Sequence, residues 1–136
     1  MLKNGERGQT PFTPAVSILL QINQRLKEIE NQGGVETEIN RITTLANDFR
    51  EKIKDLPFEI RCKNMGNAVT GVYCIDSDAG TIVDALKNEY NIWVNPSGGD
   101  VGEKMFRVGH IGALTIEDND KLIEAFQDLE KRGILK

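Results

Sequence analysis

Apolar residues recur at three- and four-residue steps through Ala15, Leu19, Ile22, Leu26 and Ile29, behind Thr13-Pro14, which offers a cap followed by proline at a first helical position. The spacing predicts an amphipathic helix over 14–31. Gly33-Gly34 stops it, and Val35, Ile39, Ile42, Ala46, Phe49, Ile53 and Leu56 mark one face of a second long helix that ends before Pro57. The period then changes. Phe58, Ile60 and Cys62 alternate with Glu59, Arg61 and Lys63, the pattern of a strand wet on one face, and the run 69–75 beyond the turn-like Asn64-Met65-Gly66-Asn67 is its hairpin partner. Asp76-Ser77-Asp78 offers caps for a helix near 79–90. Ile92-Trp93-Val94 reads as a short strand, residues 95–102 as a glycine-rich loop, and residues 105–111 as another strand. Thr115, with Asp118 three positions on, caps a last helix that Gly133 ends.

The order α-α-β-β-α-β-β-α predicts an α+β fold: a mainly antiparallel sheet of three to four strands, with the helices near 35–55, 79–90 and 116–132 packed on one face and the 14–31 helix extending away. Residues 1–12, with Gly5, Gly8 and Pro11 among polar neighbours, read as an extended lead-in. With 136 residues, the length is that of one domain or of a piece of a larger chain.

Charge narrows the function classes. The chain has 17 Lys+Arg against 21 Asp+Glu, a net charge of -4, and no basic cluster with interleaved aromatics, which argues against a nucleic-acid partner. No window approaches eighteen apolar residues and the start lacks an apolar leader, so neither a membrane span nor a signal peptide is expected, and the expected location is cytoplasmic. The two cysteines, Cys62 and Cys74, lack the spacing of a zinc site and read as free thiols.

Few residues carry chemistry. His110, the one histidine, shares a strand face with Phe106 and Val108, which turns it toward the core as a structural, hydrogen-bonded residue. Asp76, Asp78 and Asp100 lack the spacing of a calcium loop and suit caps and turns. The loop 96–104 has the glycine content of a phosphate cradle without its Gly-Lys-Ser/Thr order. Arg107 is different: it alternates with Phe106 and Val108 and shares its face with Gly109, so its planar fork is free to meet a carboxylate or phosphonate.

Residues 106–112, Phe-Arg-Val-Gly-His-Ile-Gly, followed by a capped helix with Leu122, Ile123 and Phe126, resemble the C-terminal motif of the class V aminotransferases, pyridoxal-phosphate enzymes of fold type I. The branch resembled holds serine–pyruvate, alanine–glyoxylate and 2-aminoethylphosphonate–pyruvate aminotransferases. Residues 10–16, Thr-Pro-Phe-Thr-Pro-Ala-Val, resemble the Thr-Pro segment ahead of a long helix in the same enzymes. The resemblance implies a substrate-binding role for Arg107 and, for Thr13, contact with the cofactor phosphate across a homodimer interface; Thr13 as a plain helix N-cap is the alternative.

The resemblance also divides the chain into a lead-in (1–12), a connecting helix from a large domain (13–34) and the small domain (35–136). The lysine that forms the imine, the aspartate on the pyridine nitrogen and the stacking aromatic are then expected upstream, in a missing N-terminal large domain. No catalytic residue and no metal site are expected within the chain. The implied activity of the parent enzyme is transfer of an amino group from a small amino acid or aminophosphonate to a 2-oxo acid, with this fragment inactive and without bound cofactor on its own. A cysteine desulfurase-like pyridoxal-phosphate enzyme and a stand-alone ligand-binding regulatory module are the alternatives.

Overall fold

The computed structural model describes residues 2–10 and 12–136, which fall into two compact units, up to Ile39 and from Asn40 to Lys136. The first unit holds a short helix α1 (Leu2–Gly5), the long helix α2 (Val16–Asn31) and the beginning of α3 (Gly34–Lys52). Gly33, at φ +108°, makes the turn between α2 and α3. A Cβ there would meet the Thr37 hydroxyl at 2.7 Å, so only glycine is accommodated. Within this unit Arg25 of α2 pairs with Glu38 of α3 at 3.0 Å. None of α2's residues is buried; Leu19, Ile22 and Leu26 are among those left exposed.

The predicted cap of α2 is displaced. Thr13 precedes Pro14 and lies outside the helix, and the N-cap is Ala15, which has no side chain to cap with. Ala15 sits at φ -76°, ψ 67°, and the Val16 N–H donates to the Pro14 carbonyl at 2.9 Å, an inverse γ-turn. That turn takes up Pro14, so the first helical bond runs from Leu19 N–H to the Ala15 carbonyl.

The second unit is built on a four-stranded sheet: β1 (Phe58–Glu59), β2 (Val69–Cys74), β3 (Asn95–Pro96) and β4 (Met105–Gly109), in the spatial order β1-β2-β4-β3 with every pair antiparallel. Side chains alternate across it. Thr70, Val72 and Cys74 of β2, with Phe106 and Val108 of β4, are buried, while Val69, Arg107 and Gly109 are exposed. The buried face carries the core, to which α3 adds Phe49, α4 (Ala79–Tyr90) adds Ile82 and Leu86, and α5 (Ile116–Lys131) adds Leu122, Phe126 and Leu129. The rings of Phe58, Phe106 and Phe126 meet with centroids 4.9–5.9 Å apart. This is the predicted α+β arrangement, a sheet with its helices on one side.

The helix ends follow local chemistry. Asp78 caps α4 by accepting from the Thr81 N–H at 2.7 Å, and Asn91 ends it in the left-handed region at φ 55°. Thr115 and Asp118 form the capping box of α5, with the Thr115 N–H 3.0 Å from the Asp118 carboxylate. Two predicted strands need correction. The Ile92 N–H is taken by the Leu86 carbonyl at the end of α4, so residues 92–94 do not pair and the ladder with β4 starts only at Asn95. The first strand ends at Glu59 rather than Cys62: its pairing with β2 stops at Glu59–Tyr73, Arg61 places its guanidinium 3.7 Å from the Tyr73 ring centroid, and Cys62 lies exposed in the connection.

Candidate substrate-anion site on the open face of the sheet

The face of the sheet turned away from the helices is lined by β2 and β4 residues that the core does not use. Arg107 stands at its middle, opposite Gly71 on one side and Asn95 on the other. Gly109, two positions along β4, adds no side chain, and a Cβ placed there would meet nothing within 4 Å. The guanidinium is exposed and donates once, from Nη2 to the Pro96 carbonyl at 3.1 Å. No carboxylate among the described residues pairs with it. The second guanidinium on this face, Arg61, is already neutralised by Glu59 at 2.7 Å while it stacks on Tyr73. Among the described residues Arg107 is therefore a cation on this face with its charge unspent, held at the edge of its fork by one neutral carbonyl.

The backbone behind it is fixed from α3. Arg41 donates to the Gly112 and Leu114 carbonyls at 2.9 and 3.1 Å, holding the bend after β4 where Gly112 takes φ +83°. Arg50 donates to Thr70 Oγ1, the Asn67 side chain and the Gly66 carbonyl at 3.0, 2.9 and 2.7 Å, which ties the start of β2 to α3. Sequence reading assigned neither arginine a role. Their partners lie up to 73 residues away in the chain, a separation that no local period reports.

His110 is buried, as expected, with Nε2 2.8 Å from Thr70 Oγ1 and its ring 5.4 Å from Phe49. Its Nδ1 has no partner among the described residues. Burial, and secondarily the nearby Arg50 charge, pushes its pKa down to about 4, so the ring is neutral at pH 7. Thr13 is exposed in the first unit and carries no structural duty as a cap. The described residues contain no cluster of His, Cys, Asp and Glu suited to a metal ion. Asp78 serves as a helix cap, and both cysteines are free, in keeping with their reading. A cleft of about 450 Å³ opens elsewhere, between Trp93, Val108, Leu114 and Lys121; Arg107 does not line it.

No family model matches the chain. An uncharacterized aminotransferase of Methanocaldococcus jannaschii is 29% identical over 110 residues, 79% of this chain and 28% of that protein. Among solved structures, alanine–glyoxylate aminotransferase from Nostoc sp. is 25% identical with a TM-score of 0.63, over 67% of this chain and 25% of its own. Pyridoxamine-pyruvate aminotransferase from Mesorhizobium loti superposes with a TM-score of 0.82 at 20% identity, over 94% of this chain and 34% of its own. The chain spans under a third of the length of the curated relatives it matches. Its α+β fold matches the small domain of aminotransferases, and in sequence it is similar to a part of the class V, fold-type I members of that group.

Proposed function

We propose that this chain is the substrate-positioning small domain of a pyridoxal-phosphate-dependent aminotransferase, one that moves an amino group from a small amino acid or aminophosphonate to a 2-oxo acid in the cytoplasm. The observation that carries the proposal is Arg107: an exposed guanidinium on the open sheet face, flanked by Gly71 and Gly109, with no carboxylate among the described residues to neutralise it. Such a fork makes a two-pronged pair with a substrate carboxylate or phosphonate. Set between two side-chain-free positions, it lets the rest of a small substrate lie along the sheet surface.

When bound, pyridoxal phosphate supplies the imine carbon and the electron sink that transamination requires. The residues of this chain fit a part of what that cofactor needs. Arg107 orients the substrate, and Thr13, an exposed hydroxyl ahead of a helix start, is assigned to the cofactor phosphate in a homodimer. His110 is excluded as a base, because its ring is buried against Phe49 and Thr70 on the opposite face of the sheet from Arg107. The lysine that would hold such a cofactor and supply the base is assigned to the part of the parent protein that this chain does not span.

The test is 2-oxo acid-dependent consumption of amine donors. Full-length protein is expected to turn over a small amino acid or an aminophosphonate, and the 136-residue chain alone to turn over none. Turnover by the isolated chain, or failure of the full-length protein on every such donor, would overturn the proposal.

A further inference from the structure

Beyond Arg107 itself, we infer that a buried relay, Arg50 to Thr70 to His110, is the device that positions Arg107, with Thr70 as the positioning residue at its centre. This rests on the reading of Arg107 as the substrate-anion residue. On the β3 side, the ladder along β4 stops at Arg107: Asn95 pairs with Arg107 and Pro96 with Phe106, the Ser97 N–H reaches the Met105 carbonyl at 3.2 Å, and among the described residues no β3 pair follows toward Val108 and Gly109. Within the sheet, the end of β4 past Arg107 is thus paired on the β2 side, through the pairs Thr70–Val108 and Val69–Gly109 and the His110 N–H on the Ala68 carbonyl at 2.9 Å, while Arg41 holds the bend beyond it. The relay sits on that same end. Arg50 Nε donates to Thr70 Oγ1 at 3.0 Å, and Thr70 Oγ1 lies 2.8 Å from His110 Nε2.

Counting protons fixes the direction of the relay. Thr70 is fully buried, and its oxygen already accepts from a permanently charged donor. If His110 Nε2 also carried a proton, the hydroxyl hydrogen would be left over and Nδ1 would be a bare acceptor, giving two unpaired buried groups. If the hydroxyl hydrogen points to Nε2, Nδ1–H is the one group unpaired. The relay therefore runs Arg50 N–H to Thr70 O, then Thr70 O–H to His110 Nε2, with His110 neutral and its proton on Nδ1. It fastens α3 to β2 and β2 to the residue that follows β4, three positions from Arg107. The neighbouring β2 residue, Gly71, is the one directly opposite the guanidinium.

Nitrogen NMR of the 136-residue chain at pH 7 tests this. In the unsubstituted protein, His110 is expected to show an unprotonated Nε2 and a protonated Nδ1; the opposite tautomer overturns the relay without any variant. Acetate is then titrated while the Arg107 Nε–H resonance is followed. Thr70→Val keeps the shape and removes the hydroxyl, and should weaken the acetate response about tenfold, the worth of one charge-assisted hydrogen bond, while Thr70→Ser restores it. An equal response in folded Thr70→Val, or no recovery in Thr70→Ser, overturns the positioning role. If Thr70→Val does not fold, the tautomer and the Thr70→Ser titration decide. Failure of the unsubstituted chain to respond to acetate at Arg107 is a different result: it removes the anion-site reading on which the relay's role depends.

Discussion

His110 and Cys74 show how burial rather than identity decides what a residue does. The imidazole pKa is pushed from 6.5 down to about 4 by burial and by the Arg50 charge. Because the folded value lies below the unfolded one, the folded state resists a proton that the unfolded chain takes up readily. Stability is full above about pH 6.5 and is lost as pH falls toward 4, by on the order of 3 kcal/mol if His110 acts alone. Urea titrations at pH 7 and pH 4.5 check this: the loss should shrink in His110→Phe, and an unchanged loss would assign it to other groups. The Cys74 thiol is pushed up to about 11, chiefly by burial, while Cys62 is exposed. Alkylation of the native protein at pH 8 should therefore modify Cys62 and spare Cys74 until the chain unfolds. Mass spectrometry of the product decides it.

At the level of elements, the helix boundaries that were legible were those written in local chemistry. Asp78 with Thr81, and Thr115 with Asp118, are contacts three residues apart, and α4 and α5 lie where those pairs place them. The strand boundaries were less legible because pairing depends on distant partners. Residues 92–94 have strand composition, yet the cap of α4 consumes the Ile92 amide; Asn95 and Pro96, poor strand formers, supply the edge instead. Thr13 misled in a similar way, since Thr-Pro reads as a cap and the γ-turn at Ala15 moves the helix start two residues on. Freed of that duty, Thr13 is left to the cofactor phosphate in our proposal. In the full-length dimer Thr13→Ala should weaken cofactor retention, by about 1 kcal/mol for one lost hydrogen bond, and Thr13→Ser should largely preserve it. Equal retention in all three proteins, measured by cofactor absorbance after dialysis, would remove Thr13 from the site.

For the whole molecule, the sheet carries two environments on its two faces. One buries Phe58, Phe106, Phe126 and the Arg50–Thr70–His110 relay; the other leaves Arg107 open between glycines. The alternation of residues 106–110 made that division legible: His110 falls on the core side and Arg107 on the other. What the sequence pattern did not show was how the open face is kept in place, because Arg41 and Arg50 act from α3 on residues up to 73 and 20 positions away, beyond the reach of any local period. The first unit adds α2, on which Leu19, Ile22 and Leu26 are exposed.

The central claim is that Arg107 holds the substrate's anionic group, and amine-donor kinetics of full-length enzyme test it most directly. Arg107→Ala should lower kcat/KM for the natural donor by on the order of 2–5 kcal/mol, the loss expected when one partner of a charge pair is removed. Arg107→Lys should recover only part, since an ammonium cannot form the parallel pair. Cofactor binding should be unchanged in both. Arg107→Ala protein that transaminates its donor with the normal kcat and KM would contradict the account, leaving Arg107 as a residue that only hydrogen-bonds the Pro96 carbonyl.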